Sequence, residues 1–332
     1  MYDIIFDFSS SPIGGSFRRI EAYAFFFSSS KIKTLFLLHP QAAERLNNKY
    51  QIEIEIIKKN FLGKFFSRNL YLNKYEGKCR WLFSYGIPIA NPVGKYNWFH
   101  ISNILPFSNS KISLSLFVRL KSLMLYFYIL RSKSYLDIVS AESYFSLNSA
   151  KKIFNEKILI HLNNGFLKDS LITNQKVNKK YAICVGTAKY KRIDISFNLF
   201  LTVKEEYNIK ELLILGSEKE IPRFIRNSNL VKVINKVEDN EYISLLSNSS
   251  LFISTSEIEN SSVAMMEALQ FSKRLILSNI PSHSEIYCAE PDKLKINGKE
   301  YLIINNSNND VLIKYLSDWN DIISKMLKEM KI

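Results

Sequence analysis

The sequence has little cysteine, and its cysteines form no recognisable pattern. They are odd in number and far apart, with no CxxC pair, at Cys79, Cys184 and Cys288. This excludes a disulfide framework and is typical of a protein kept in a reducing cytoplasm. The first residues, MYDIIFDFSSSP, have acidic side chains where a signal peptide has basic ones, and their apolar run is too short. We therefore expect a first strand there rather than a signal peptide.

Long apolar runs and metal-binding motifs are also absent. The best candidate run, LMLYFYIL at 123–130, is flanked by basic residues, and a membrane span needs about 20 apolar residues. The sequence has no Asp-x-Asp motif, and its histidines lack metal-ligand spacing, at His39, His100, His161 and His283. We therefore expect no transmembrane helix, no metal site and no resident cofactor.

Positive charge is abundant but unevenly distributed, and the net charge is +14. Residues 1–170 hold 23 Lys and Arg against 11 Asp and Glu, a net +12, whereas residues 171–332 hold 22 against 20, a net +2. A codon bias toward lysine is one explanation, but it should affect both halves alike. We favour a functional basic face in the first half, suited to an anionic membrane surface or an anionic acceptor.

Strand-like and helix-like segments alternate twice along the chain. Strands are predicted in the first half at 2–8, 34–38, 51–57, 96–101, 134–140 and 157–162, with helices at 16–28, 111–130 and 143–154. The second half has predicted strands at 181–185, 211–215, 230–234, 250–254 and 274–278, and helices at 192–207, 218–227, 239–248, 262–272 and 281–288. This alternation predicts an α/β protein with parallel sheets and helices on both faces.

The pattern predicts two domains joined by a polar linker. The expected boundaries are 1–168 for the first domain, 169–180 for the linker, 181–306 for the second domain, and 307–332 for a C-terminal helix that packs back toward the first domain. In doubly wound sheets, ligands bind beyond the carboxyl ends of the strands. We therefore expect the functional residues in the loops that follow the strands.

Two glutamates mark such a loop in the segment SEIENSSVAMMEAL at 256–269. Glu259 follows a predicted buried strand, and Glu267 lies in the next helix, with seven residues between the two. Ser261 and Ser262 are good helix N-caps, and the start of a helix favours an anion. A diphosphate there would leave a sugar within reach of one carboxylate and a ribose within reach of the other. The alternative interpretation is that Glu267 is only a good helix former and Glu259 only a solvated acid in a loop.

The segment LFISTSEIENSSVAMMEALQFSKRLILSNIPSHSEIY resembles the nucleotide-binding domain of GT-B glycosyltransferases, most closely the retaining glycosyltransferase family 4. The matching positions are Ser256, Glu259, Glu267-Ala268, the strand RLILS and Glu285-Ile286. Further segments resemble the family in the same order along the chain: Gly14-Gly15, Asn164-Gly165, Gly186, Lys191 to Asp194, and Gly216. The resemblance implies two doubly wound Rossmann-like domains that face each other across a cleft. Residues 1–168 would form the acceptor-binding domain and residues 181–306 the nucleotide-sugar-binding domain.

The resemblance also implies roles for individual residues. Glu259 would contact the donor sugar, Glu267 the ribose, and Lys191 the diphosphate. The family's usual arginine is replaced by Thr187, so Arg192 or Lys189 is the candidate for a second positive charge, and the hydroxyls of Ser261 and Ser262 replace family glycines. We assign catalysis to Glu259, Lys191, Arg192 and His100. The expected donor site comprises Gly14, Gly15, Gly186, Lys191, Asn260, Ser261, Ser262, Val263, Glu267, Lys236 and Val237.

Three features of the first half have two interpretations each. Gly14-Gly15, near Arg18, is a simple turn or a loop that approaches the leaving diphosphate; it is not a GxGxxG motif. His100 closes a strand and is an acceptor-site residue or a structural one. The helix 111–130 is a core helix, which we favour, or a membrane-surface helix that uses its aromatic and basic residues. Its apolar side chains are Leu114, Phe117, Leu120, Met124, Phe127 and Tyr128, beside Arg119, Lys121 and Arg131.

The resemblance implies a cytoplasmic, metal-independent, retaining hexosyltransferase at the inner face of the cytoplasmic membrane. Its partners would be a nucleotide-sugar donor, a glycan or lipid-linked glycan acceptor, and an anionic membrane that contacts the basic first domain. Surface polysaccharide assembly is the expected setting. A catalytically inactive GT-B partner or binding subunit is one alternative. A nucleic-acid binder is another, although the sequence has no recognisable nucleic-acid-binding motif, so we expect no nucleic acid.

Overall fold

A computed structural model describes residues 1–11, 14–46, 49–57, 66–108, 112, 114–165, 179–286, 291–305 and 317–332. The elements of the first half are Tyr2–Phe8 (β1), Gly15–Ser28 (α1), Thr34–Leu38 (β2), Pro40–Leu46 (α2), Glu53–Ile56 (β3), Phe66–Asn73 (α3), Cys79–Tyr85 (β4), Tyr96–Ile101 (β5), Leu116–Ser132 (α4), Ile138–Ala141 (β6), Tyr144–Lys151 (α5) and Ile158–His161 (β7). Those of the second half are Lys179–Val185 (β8), Ile193–Val203 (α6), Glu211–Leu215 (β9), Arg223–Arg226 (α7), Val231–Ile234 (β10), Asp239–Ser247 (α8), Ser249–Ser254 (β11), Val263–Phe271 (α9), Arg274–Ser278 (β12), Pro281–Ser284 (α10), Asp292–Ile296 (β13), Lys299–Asn305 (β14) and Trp319–Met330 (α11).

The chain divides into two compact units. The first consists of Met1–Asn109, Phe117–Gly165 and Ser317–Ile332, and the second of Ser110–Leu116 and Phe166–Leu316. Most of the predicted linker, 169–178, lies outside the described residues. Helix α11 belongs to the first unit, where Ile322, Ile323, Met326 and Met330 are buried in its core. The part of the predicted C-terminal stretch before residue 317 lies outside the described residues.

The first unit contains a parallel sheet with strand order β3-β2-β1-β4-β5-β6-β7. Its central strands are buried on both faces: Ile4, Phe6 and Phe8 of β1 join one apolar cluster, and Ile5 joins the other. Strands buried in this way are continuous apolar runs rather than alternating ones. Strand β4 was not predicted from the sequence, although it lies between β1 and β5.

The second unit contains a sheet with strand order β10-β9-β8-β11-β12-β14-β13. The strands from β10 to β12 pair in parallel, as expected. The prediction of a purely parallel sheet is wrong at one edge, because β14 pairs antiparallel to both β12 and β13. A two-residue turn at Asn297 and Gly298, both with positive φ (50° and 74°), joins β13 to β14. An Asn-Gly pair is the preferred sequence for such a hairpin turn.

Helix α4 departs from the core helix that the sequence favoured. Only Leu125, Ile129 and Ser132 of its side chains are fully buried, while Phe117, Leu120, Met124 and Phe127 are exposed. The helix also begins later than expected, at Leu116. Its apolar composition therefore does not reflect burial on all sides.

A buried ion pair fixes the loop that follows β4. Arg68 Nε donates to Asp7 Oδ2 at 2.7 Å, and both side chains are buried, each 1% exposed. Arg68 also donates to the carbonyl oxygens of Pro88 at 2.6 Å and Ile87 at 2.8 Å. The donors of Arg68 are thus satisfied, which a buried charge requires.

We expect Arg68→Ala to lower the free energy of unfolding of the first unit by about 3–5 kcal/mol, because it leaves Asp7 buried without its counter-charge. Tryptophan fluorescence during urea unfolding measures this unit selectively, since Trp81, Trp98 and Trp319 all belong to it. Arg131→Ala, at an exposed arginine, is the control. Equal stability of the two variants would contradict the prediction.

Candidate functional site

The candidate site lies at the carboxyl edge of the second sheet, in the loops that follow β8 and β11. Strand β8 is followed by Gly186, whose φ of +86° favours glycine. A Cβ atom on Gly186 would lie 3.3 Å from Lys191 Cε. The glycine therefore leaves room for the Lys191 side chain to pass over the end of the strand.

The two loops are bound to each other through main-chain groups. The Thr255 hydroxyl donates to the carbonyl oxygen of Arg192 at 2.7 Å, and the Glu257 N–H donates to the carbonyl oxygen of Tyr190 at 2.8 Å. Arg192 has a left-handed conformation (φ 51°) at the start of α6, which costs a non-glycine residue about 1–2 kcal/mol. These contacts hold that conformation and place Lys191 against the second loop.

Lys191 and Glu259 form an ion pair at the centre of the site. Lys191 Nζ donates to Glu259 Oε1, and Ser256 Oγ donates to the same oxygen at 2.7 Å. The two side chains are 17% and 11% exposed. Burial alone would lower the pKa of Lys191, but the Glu259 carboxylate outweighs burial and the pKa is raised. The lysine is therefore a cation held in a partly dry site.

Arg192 has a different role from Lys191. Its guanidinium donates to Asp194 with two bonds of 3.0 and 2.7 Å and to Glu257 with one of 2.6 Å. The hydrogen bonds to Asp194 first, and then the one to Glu257, raise the pKa of Arg192. The hydrogen bonds from Arg192 lower the pKa of Asp194. Two carboxylates thus compensate the positive charge of Arg192, which the sequence analysis made a candidate for contacting the diphosphate. We assign Arg192 to fixing the loops.

Helix α9 begins directly after the second loop. Ser262 is its N-cap and accepts a hydrogen bond from the Met265 N–H at 3.3 Å. Asn260 is buried, and Glu267 is buried about one turn into the helix. The free N–H groups at the start of α9 therefore follow Glu259 closely along the chain. Ser261 and Val263 lie in the same short segment.

A support behind the pair was not predicted from the sequence. Ser278 Oγ donates to the carbonyl oxygen of Ser256 at 2.7 Å, and the carbonyl oxygen of Ser278 lies 2.9 Å from His283 Nδ1. His283 is fully buried, and burial lowers its pKa. Ser278 and His283 thus position the loop that holds Glu259. The one sequence signal for Ser278 and His283 was that both lie in the loop SNIPSHSEIY, which is part of the segment that resembles the family.

The other predicted residues belong to a different strand end of the second unit or to the first unit. Lys236 is exposed beside Glu238, with Lys236 Nζ 3.9 Å from Glu238 Oε1. Lys236 and half-buried Val237 follow β10, two strands from β8 along the same edge. Gly14 and Gly15 belong to the first unit, where Gly14 (φ 119°) precedes α1 and a Cβ atom on it would meet nothing within 4 Å. The positive φ of Gly14 favours glycine at this position.

His100 is fully buried at the end of β5. Its Nδ1 lies 2.7 Å from Ser140 Oγ and its Nε2 3.6 Å from Glu142 Oε1. The ring stacks near those of Phe83 and Tyr85, and burial holds its pKa well below the usual range. Of the two interpretations of His100, this geometry favours the structural one.

Among the described residues, no group of three or more His, Cys, Asp or Glu side chains is placed to hold a metal ion. Cys79 and Cys184 are buried and free, and Cys288 lies outside the described residues. That catalysis needs no metal stays a prediction.

Solved structures identify the fold of the chain. The chain matches Anabaena HepE in complex with UDP and glucose (TM-score 0.61, 14% identity, 88% of this chain and 84% of that chain). It also matches S. aureus TarM in complex with fondaparinux, alpha-GlcNAc-glycerol and UDP (0.62, 12%, 100% and 93%). A third match is sucrose-phosphate synthase from Thermosynechococcus elongatus (0.61, 12%, 100% and 91%). The fold is α/β and of the GT-B type.

Residues 167–322 match the family described as Glycosyl transferases group 1. The match covers the Lys191–Glu259 pair, α9 and Glu267. The matched residues span nearly all of the second unit's segment 166–316. No curated protein sequence matches the chain.

Proposed function

We propose that this protein is a retaining glycosyltransferase that moves a hexose-type sugar from a nucleotide-sugar to a hydroxyl group of a glycan acceptor. The observation that carries the proposal is the Lys191–Glu259 pair beside the start of α9. The family match and the UDP named with HepE and TarM support it.

In the proposed mechanism, Lys191 stabilises the diphosphate leaving group. Negative charge develops on the diphosphate as the bond to the sugar breaks, and a preorganised cation in a partly dry site is most effective there. The start of α9 adds a positive partial charge at the same place. Because these groups supply the electrostatic stabilisation, the proposal involves no metal.

Glu259 accepts hydrogen bonds from hydroxyl groups of the donor sugar and orients its anomeric carbon toward the acceptor. We place the covalent events on the donor: the acceptor oxygen bonds to the anomeric carbon on the face from which the diphosphate leaves. The departing phosphate takes the acceptor proton. This front-face route retains the configuration and requires no carboxylate nucleophile.

The acceptor that we propose is a lipid-linked glycan of the kind used to assemble O-antigen, capsule or lipopolysaccharide. The supporting observation is the charge of the first half, +12 over residues 1–170, which suits an anionic surface. We accordingly place the protein at the inner face of the cytoplasmic membrane as a peripheral protein. That the two domains face each other across a cleft also stays a prediction.

The proposal is tested in two steps. A thermal-shift screen of nucleoside diphosphates identifies the base, because a specific ligand raises stability by mass action. Release of that diphosphate from the matching nucleotide-sugars is then measured with the wild type. Release above the rate of Lys191→Ala supports a transferase. Binding without release from any sugar would favour a catalytically inactive GT-B partner.

We expect Glu267→Ala to weaken nucleoside diphosphate binding by about tenfold, since a lost contact to ribose hydroxyls leaves them unpaired. Affinity for inorganic pyrophosphate, which has no ribose, should stay unchanged. Glu241→Ala, on the exposed face of α8, is the control. Calorimetry on folded variants measures both ligands. An equal loss for diphosphate and pyrophosphate would show that Glu267 acts through the fold and not on the ribose.

A further inference from the structure

Helix α4 carries apolar side chains on two opposite faces. One face packs into the first unit through Leu125 and Ile129. The opposite face has five side chains at spacings of three and four residues, which align along one side of a helix. They are Leu116, Leu120, Leu123, Phe127 and Leu130, with exposed fractions of 84, 56, 50, 60 and 41%. We call these five the α4 stripe.

The surroundings of the α4 stripe are basic. Residues 112–136 contain Arg119, Lys121, Arg131 and Lys133 and no aspartate or glutamate. At 100° per residue, Arg119 and Arg131 border the stripe on opposite sides. Apolar side chains between basic borders are typical of helices that lie in the interface of an anionic membrane.

We propose that the α4 stripe inserts into the surface of an anionic lipid bilayer, with Arg119 and Arg131 at the level of the lipid phosphates. This inference rests on the membrane association proposed above and gives it a defined surface. In the part of the chain that the structure describes, no helix is long and apolar enough to cross a membrane. Helix α4, with 17 residues, is about 25 Å long, short of the hydrocarbon thickness of about 30 Å. It therefore lies along the surface rather than across it.

Charge distinguishes a bilayer from a second copy of the chain. A symmetric pairing of two α4 stripes would bring the basic residues of one helix beside those of the other. Residues 112–136 contain no acidic residue, and like charges at an interface oppose association. Anionic lipid headgroups, by contrast, attract basic side chains.

The test is sedimentation of the full-length protein with phosphatidylcholine vesicles, with and without phosphatidylglycerol, at low and high salt. The variant is Leu120→Ser with Leu123→Ser and Phe127→Ser. The matched control substitutes three exposed apolar residues of the same unit, Phe25→Ser, Leu70→Ser and Ile158→Ser. All six side chains are exposed, so thermal unfolding should be unchanged in both variants.

We expect the stripe variant to bind anionic vesicles at least about tenfold more weakly than the wild type at both salt concentrations, because it loses apolar insertion. The control should bind like the wild type. Arg119→Gln with Arg131→Gln should weaken binding mainly at low salt, since salt screens the charges.

The opposite outcomes separate the two proposals. Equal binding by the stripe variant and the wild type would overturn the role of α4 and leave membrane association through other basic residues. No binding by the wild type would overturn both, while the nucleoside diphosphate screen tests the donor site independently. A dimer in sedimentation velocity that only the stripe variant loses would assign the stripe to a second copy instead.

Discussion

The Lys191→Ala variant is expected to bind nucleoside diphosphate about 30-fold or more weakly, because its loss leaves a part-buried carboxylate without its counter-charge. Turnover should fall by about 100-fold to 1000-fold, as for the loss of one preorganised group that stabilises developing charge. Two effects add in this variant. The diphosphate loses an attractive cation, and Glu259, which pairs with Lys191, then repels it.

A double-mutant cycle separates the two effects. Lys191→Ala with Glu259→Ala lacks the repulsive carboxylate, so it should recover about tenfold in diphosphate affinity over Lys191→Ala alone, as coupled neighbours do. Lys189→Ala, on the exposed side of the same turn, tests whether the charge or its position matters. We expect a change below about threefold for it. Additive losses in the cycle would show that Lys191 and Glu259 act independently.

Glu259→Ala is expected to lower turnover by about 100-fold, because a misplaced donor sugar loses its alignment with the acceptor. Diphosphate affinity should stay nearly intact or rise slightly, since the substitution frees Lys191 from its ion pair. Turnover with the true donor and calorimetry with the diphosphate product measure the two quantities. Glu257→Ala removes one of the two carboxylate partners of Arg192, and this variant is the control for damage to the loop.

The two glutamate substitutions thus differ in a defined way. Loss of Glu257 should lower diphosphate affinity and turnover together, because it loosens the loop that holds Lys191. Loss of Glu259 should lower turnover alone. If Glu259→Ala kept full turnover, the pair of glutamates at 259 and 267 would reflect helix composition and loop solvation, and the chemistry would lie elsewhere.

Most of the parallel strands were predicted from the sequence, because most of them are short and largely apolar; β4 was missed. Strands β1, β2, β5, β9 and β12 have the predicted bounds. Glu259 was placed in a loop after a buried strand by the sequence pattern, and Lys191 was identified by the family resemblance. Both follow strands whose carboxyl ends share one edge of the sheet, but their ion pair was not predicted.

Other features depended on information that periodicity does not contain. The Asn297-Gly298 turn was present in the sequence, but its antiparallel hairpin was not predicted from the alternating pattern. The pairing of Arg192 with Glu257 joins residues 65 positions apart. The sequence pattern therefore did not show that the charge of Arg192 is compensated. The exposure of α4 was likewise hidden, because apolar residues on two faces of a helix look the same in a sequence whether one face or both are covered.

The most direct test of the central claim is hydrogen exchange with and without the nucleoside diphosphate that the thermal-shift screen selects. The claim is that the loops at 186–192 and 256–264 bind the diphosphate between Lys191 and the start of α9. We predict that diphosphate at a concentration near the Kd of the wild type slows exchange in peptides that cover these two loops, and that Lys191→Ala removes most of the effect at the same concentration. Slowed exchange confined to other parts of the chain, or unchanged in Lys191→Ala, would contradict the claim.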